Sequence, residues 1–498
     1  MPNIYIQKRN RIFEIVDRLK KIKLFKGKKH QPFNDNYSVE LFRRVFKDQA
    51  AYVPESNMWY VYDGTRWVPD VGDMAVQNMA KDLSLAIWYL TAEPEYESED
   101  FRAYANRIQS EHKRSTMIKD ARSRMFLGIK EFDKDPYLIN LQNCVFDPKH
   151  FRRLEHDPKY YMTKIANVDY VEGATSPAWD KFLMEVMCGN KDLIRYLQIV
   201  MGYAMLGENT QEKCWMIYGP STRNGKSTFL DVIEYIFGSY SMNIQPETLA
   251  VKDRNSSGAS GDIARLDGCR FLHMSEPPKR MKLDSALLKT LLGGDQITAR
   301  QLYGKEFQFV PVFKLFMNTN YRPVVTDDTV FSSGRIEVIL FPRHFEKNEQ
   351  DIHLKDKLKS SENTPGILNW MLEGLRTYWK DKEVLTPPEA VITATEEYRE
   401  QSDKVKLFMN ERLLPDKGGA VSGTDVYKAF STWCEDNGYR PDSKRNFFDE
   451  LRNKGLLSNT GTVHGTTLYN VVKDYRLDTA DLDEDNPFVN MGYKYTRR

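Results

Sequence analysis

The sequence predicts an α/β core preceded by a mixed, largely helical N-terminal domain and followed by a winged-helix-like C-terminal domain. Three observations predict this. Cys214 to Phe237 runs as apolar strand, glycine-bounded turn and amphipathic helix. From there to about Pro342, short apolar runs alternate with helical segments, the order that builds a parallel sheet. The last hundred residues read as three short helices and then a strand, turn and strand.

Taken in order, residues 1–35 form a basic arm. Lys8 to Lys29 carries ten Lys or Arg against two acids, Glu14 and Asp17. Such a cluster attracts phosphates or simply solubilises the chain, and both readings stand. Residues 36–175 are a mixed domain. Trp59 to Trp67 reads as two strands around an Asp63-Gly64 turn, Met74 to Phe126 as helices with a loop near Pro94, and Leu138 to Pro148 as strand and turn. Residues 176–385 hold the α/β unit and the two helices before it, whose apolar stripes are Trp179, Phe182, Leu183, Val186, Met187 and Leu193, Tyr196, Leu197, Val200, Met201. Residues 386–475 are the winged-helix-like unit, with helices at Val405–Leu414, Gly423–Asn437 and Ser443–Lys454 and a two-stranded ribbon over Gly455–Val472. Residues 476–498 are read as an acidic, solvated tail.

Composition narrows the class. Hydrophobic residues at 41% suffice to fill cores, and no run of 18 apolar residues offers a membrane span. The N-terminus lacks the continuous apolar stretch of a secretory signal. Five scattered cysteines without a C-x-x-C pair argue against a disulfide scaffold or zinc ribbon and suit a reducing cytoplasm. The net charge of +2 says nothing by itself about nucleic acid.

The densest chemistry lies in YGPSTRNGKSTF. A strand, a turn from Gly219 to Lys226 and a helix form the context of a phosphate-binding loop. Gly219, Asn224, Gly225, Lys226, Ser227 and Thr228 would surround the phosphates of ATP, whose charge suits backbone amides at a helix N-terminus. Lys226 would reach the β- and γ-phosphates, and the Ser227 hydroxyl would hold Mg²⁺. Five residues separate Gly219 from Gly225, one more than the usual four. Downstream, Cys269 to Glu276 is a strand ending in an acid, so Glu276 would sit at the Mg²⁺ and polarise the attacking water. Ser275 is a weaker candidate for the same metal shell. His273 within that strand reads as a core or supporting residue rather than a ligand. Val312 to Pro323 is a further strand ending in polar Asn318 and Asn320, and an Asn there can orient water or sense the γ-phosphate. Arg335 enters the strand Ile336–Pro342, where a guanidinium could reach a neighbouring subunit's nucleotide. Between these, Ile297 to Phe309 alternates around a turn at Tyr303–Glu306. The hairpin is either structural or a DNA contact through Arg300, Tyr303 and Lys305. Arg440, Lys444 and Arg445, at the start of the third C-terminal helix, are candidate phosphate contacts or ordinary surface charges.

Together, YGPSTRNGKSTF, IARLDGCRFLHMSE, KTLLGGDQITAR, KLFMNTNYRP and SSGRIEVILFP resemble the helicase part of the phage and plasmid primase–helicase family, a branch of the superfamily 3 helicases. The resemblance runs over nearly the whole chain. It implies an AAA+ ATPase that uses ATP and Mg²⁺, assembles as a homo-oligomeric ring, commonly a hexamer, and moves 3′ to 5′ on single-stranded DNA. Lys226 and Ser227 match the family's phosphate-loop residues, Glu276 the acid of its second motif, Asn320 its sensor and Arg335 its arginine finger. Lys305 matches the hairpin that contacts DNA in the ring's channel. Gly334 stands where the family often has a second arginine. With about 35 residues ahead of the middle domain, the expectation is a helicase without its own primase, served by a separate one, acting on forked or origin DNA in a bacterial host. The alternatives are an initiator or loader that melts origin DNA without processive unwinding, and a nucleotide-regulated scaffold that recruits replication proteins.

Overall fold

A computed structural model describes residues 4–22, 33–251, 259–279, 281–300, 306–325, 327–437, 439, 441–463 and 466–478. Within the stretch read as a basic arm, Ile4–Ile22 is a helix. Ile12, Ile15, Val16 and Leu19 recur at helical spacing and are buried in a core with Leu41, Phe42, Leu83 and Ile87. Its charges are partly answered by acids, Arg11 by Asp82 at 3.2 Å and Lys20 by Glu93 at 2.9 Å. The strands expected around Asp63-Gly64 are present at Met58–Tyr62 and Trp67–Asp70, joined by a third at Ala50–Val53.

The central unit is a five-stranded parallel sheet: β1 (Cys214–Tyr218), β2 (Ser241–Ile244), β3 (Phe271–Met274), β4 (Lys314–Thr319) and β5 (Ile336–Leu340). Their order is β5-β1-β4-β3-β2, an AAA+-like core. Both faces are covered, which is why these strands read as unbroken apolar runs rather than alternations. Trp215, Ile217, Phe271, Phe316 and Ile339 face one cluster, and Cys214, Met216, Leu272, Leu315 and Val338 the other. Helices α1 (Pro177–Val186), α2 (Lys191–Ala204), α3 (Lys226–Phe237) and α4 (Ser285–Leu292) follow in chain order, then α5 (Thr364–Lys380) and α6 (Glu389–Ser402). Helices α2 and α5 cross so closely that a Cβ at Gly202 would lie 2.1 Å from the Leu375 nitrogen. Two small residues on facing turns, Gly202 and Gly374, make that approach possible.

The C-terminal unit has helices at Lys404–Arg412, Gly423–Asp436 and Lys444–Asn453 around Phe408, Phe430, Trp433 and Phe447. The expected two-stranded ribbon is a three-stranded sheet. Leu413–Ser422 joins Leu457–Val463 and Thr466–Leu477, with Thr466–Leu477 in the middle. The extra strand carries a register shift between Pro415 and Ala420. That bulge, with Pro415, Gly418 and Gly419 inside it, hides the strand from any period-two pattern. Helices plus a small sheet are consistent with a winged-helix-like fold.

Candidate nucleotide-binding site

Because all five strands run parallel, their C-terminal ends share one edge, where ligands of open α/β sheets bind. Gly219 leaves β1 there, Glu276 lies two residues past β3, and Asn320 follows β4 directly. The loop from Gly219 is tied to β4 by the Gly219 N–H, which donates to the Thr319 carbonyl at 3.2 Å. Its additional residue is absorbed by a left-handed turn. Arg223 has φ +57° and Gly225 φ +84°, and Gly225 then caps α3. A side chain at Gly225 would meet Val186 Cγ1 at 2.5 Å, so α1 packs directly under the loop.

Four of the expected residues form one connected chain. Lys226 Nζ donates to Asn224 Oδ1 at 2.7 Å and to Asn320 Oδ1 at 2.5 Å, and Asn320 Nδ2 donates to Glu276 Oε1 at 2.5 Å. Asn224 is itself oriented by its amide, which donates to the Ser221 carbonyl at 2.6 Å. Lys226 is 4% exposed. Burial pushes its pKa down to about 8 from 10.5, against the opposing pull of the Glu276 carboxylate. Ser227 and Glu276 are exposed at the mouth, and Thr228 is half-buried.

One hydroxyl and one carboxylate at an open edge are hard oxygen donors and fit Mg²⁺ that takes its other ligands from phosphates and water. Among the described residues, no group of three His, Cys, Asp or Glu converges on a metal position. His273 is buried, and its Nε2 lies 3.1 Å from Glu234 Oε2 on α3.

Arg335 is elsewhere. Ile336 pairs with Cys214, so Arg335 precedes β5 at the N-terminal edge of the sheet. Five residues of β1 separate that edge from Gly219, roughly 16 Å at ~3.3 Å per residue. Gly334, with φ +68°, ends the short Thr329–Ser332 helix, and the Arg335 N–H donates to the Val330 carbonyl at 3.0 Å. A second arginine at 334 would strain this left-handed cap, which accounts for the glycine.

Of the candidate DNA contacts, Arg300, Lys444 and Arg445 fall within the described residues. Ile297–Arg300 and Glu306–Phe309 form the expected antiparallel hairpin with Arg300 opposite Glu306, and Arg300 is exposed. Tyr303, Lys305 and Arg440 lie outside the described residues. Lys444 and Arg445 are exposed at the start of the third C-terminal helix, where Lys444 Nζ donates to Thr424 Oγ1 at 3.0 Å.

Sequence reasoning missed the segment after β5. The Phe345 N–H donates to the Arg223 carbonyl at 2.9 Å, and His344 Nδ1 lies 2.8 Å from the Thr222 carbonyl. These contacts brace the enlarged loop. No local pattern announces backbone bonds made across more than a hundred residues.

The fold is thus an AAA+-like core with a candidate phosphate-binding loop at the C-terminal edge of its sheet. Three family models match in chain order: "D5 N terminal like" over residues 39–188, a "Family of unknown function (DUF5906)" over 217–335 and "Poxvirus D5 protein-like" over 400–456. The chain is 24% identical over 464 residues to a putative helicase of Acanthamoeba polyphaga mimivirus, covering 83% of this chain and 46% of that protein. It is 21% identical over 347 residues to a putative primase of African swine fever virus, covering 64% of this chain and 35% of that one. The solved C-terminal region of NrS-1 aligns over 85% of this chain and 96% of its own, at 10% identity and a TM-score of 0.48. The chain spans less than half the length of these curated relatives.

These matches liken the chain to viral proteins described as putative helicases and putative primases, and they correct two expectations. The reading of a helicase without a primase fails, because relatives matched over this region are described as primases as well as helicases. The bacterial host is not supported either, since these relatives come from Acanthamoeba polyphaga mimivirus, Frog virus 3, Invertebrate iridescent virus 3 and African swine fever virus. Among the described residues, no helix is long and apolar enough to cross a membrane.

Proposed function

We propose that this chain is the motor region of a replicative DNA helicase of a virus or mobile element, a ring-forming ATPase that moves 3′ to 5′ on single-stranded DNA. The observation that carries this is the division of the chemistry between two edges of one sheet. Lys226, Asn320 and Glu276 meet at one edge, and Arg335 stands at the other. An arginine about 16 Å from its own site is placed to serve the site of a neighbouring subunit, and such head-to-tail contacts form a ring where their rotation closes.

Nucleotide phosphates would replace the asparagine oxygens around Lys226. The amides at the start of α3 would receive the phosphate charge, and Ser227 and Glu276 would hold Mg²⁺, which neutralises charge on the β- and γ-oxygens. Released from Lys226, Asn320 would remain bonded to Glu276 and hold that carboxylate toward the attacking water. Glu276 would accept the water's proton. Arg335 of the adjacent subunit would stabilise charge on the transferring phosphoryl group. DNA would be held chiefly through phosphates by Arg300 and the hairpin tip at Tyr303 and Lys305, with Arg440, Lys444 and Arg445 gripping duplex at a fork or origin.

Strand displacement on forked DNA bearing a 3′ or a 5′ loading tail tests the reading. ATP-dependent displacement from the 3′ tail alone, lost in Lys226→Ala, is the expected result. DNA-stimulated hydrolysis without displacement from either tail would contradict it.

A further inference from the structure

Glu212 lies in the segment between α2 and β1, outside the residue ranges matched by the family models. Its Oε2 is 2.8 Å from Arg335 Nη2. The other side of the same guanidinium reaches the Lys289 carbonyl, at 3.5 Å from Nη1. Arg335 is thus steered from β1's approach and from the end of α4 together, with a side chain 20% exposed.

The backbone at Glu212 is unusual for a long side chain, with φ +52°. A left-handed residue other than glycine persists only where its surroundings fix it. Both neighbours supply that. Gln211 Nε2 donates to the Tyr378 hydroxyl and to the Glu383 carbonyl, each at 2.9 Å, and its N–H donates to the Tyr203 hydroxyl at 3.1 Å. On the other side, Lys213 Nζ donates at 2.5 Å to Glu337, a carboxylate that also accepts from Trp215 Nε1 at 3.0 Å and from the Tyr196 hydroxyl. The carboxylate that meets Arg335 is therefore presented by a rigid turn.

We propose that Glu212 is a positioning residue for Arg335, presetting the guanidinium so that its remaining N–H donors meet a phosphate on the adjacent subunit. This rests on the reading that Arg335 acts in trans. A planar fork held at two acceptors presents its other donors in one orientation, and preset orientation lowers the barrier of the step it serves.

The test compares ATP hydrolysis by the full chain, assembled on single-stranded DNA, for Glu212→Gln, Glu212→Gly, Arg335→Ala and the Glu212→Gln/Arg335→Ala double variant. Glu212→Gln keeps the shape and removes the charge, and glycine suits the left-handed backbone, so thermal unfolding reports whether either has lost its fold. The expected result is a fall in kcat of about tenfold for both Glu212 variants at unchanged KM for ATP. Arg335→Ala falls by about 10³-fold, and the double variant is no slower than Arg335→Ala alone. Folded Glu212 variants with wild-type kcat, or a double variant slower than Arg335→Ala, would overturn the proposal alone. An Arg335→Ala protein with wild-type kcat would overturn the trans reading as well.

Discussion

Lys226 is held against its electrostatic preference, and replacing it with Met should make the nucleotide-free protein more stable. Burial lowers its pKa from 10.5 to about 8. At 1.36 kcal/mol per pKa step, keeping the ammonium charged in the fold costs about 3 kcal/mol in the limit of no screening. The site opens to solvent at Ser227 and Glu276, which trims the cost to about 1–2 kcal/mol. A folded pKa below the unfolded one makes this group destabilising at pH values under about 8. The penalty fades as pH rises through the window from 8 to 10.5. Lys226→Met, nearly isosteric and neutral, should raise Tm at pH 7 by about 2–4 °C, and the advantage should shrink by pH 9.5. With ATP at a hundredfold excess over Kd the order reverses, since the wild type gains about 2.7 kcal/mol and the variant gains nothing. Thermal unfolding at the two pH values, with and without ATP, measures both effects. A nucleotide-free Lys226→Met protein less stable than wild type at pH 7 would refute the argument. It would mean that the bonds to Asn224 and Asn320 outweigh desolvation.

Other consequences are as direct. The same pKa predicts that ATP affinity weakens above pH 8, with proton uptake on binding, visible by calorimetry in buffers of different ionisation enthalpy. Glu276→Gln should raise the Mg²⁺ concentration needed for ATP binding and hydrolyse bound ATP about 10²-fold or more slowly, measured by single-turnover kinetics at saturating Mg²⁺. Gly225→Ala combines a positive φ with a 2.5 Å clash against Val186, and should lose nucleotide binding together with roughly 1–3 kcal/mol in denaturant titration. Glu337→Ala would leave Lys213 and the Trp215 and Tyr196 donors without their shared acceptor, at a cost of about 3–5 kcal/mol by the same measurement.

The legibility of this molecule in its sequence followed the range of the interactions. The sheet strands and the helix after the phosphate loop were readable because burial on two faces leaves unbroken apolar runs such as Cys214 to Tyr218, and because Gly225 must take a positive φ before α3. The bond from Lys226 to Asn320 spans 94 positions, so the sequence names both residues without joining them. The placement of Arg335 depends on Ile336 pairing with Cys214, a parallel register that strand order alone does not give. Glu212 was invisible, because nothing in TQEK marks a left-handed carboxylate. The strand Leu413–Ser422 was lost to its own bulge. Ile4–Ile22 was read by its charge when its period of buried Ile12, Ile15, Val16 and Leu19 was the better guide.

The central claim, that each nucleotide is completed by a second subunit, is tested most directly by mixing two inactive proteins. Lys226→Ala keeps its arginine and loses its site, and Arg335→Ala keeps its site and loses its arginine. In an equal, freely exchanging mixture about a quarter of the interfaces pair an intact site with an intact arginine. Hydrolysis by the mixture should therefore rise well above that of either protein alone. A mixture that co-assembles and stays as inactive as its components would contradict the account.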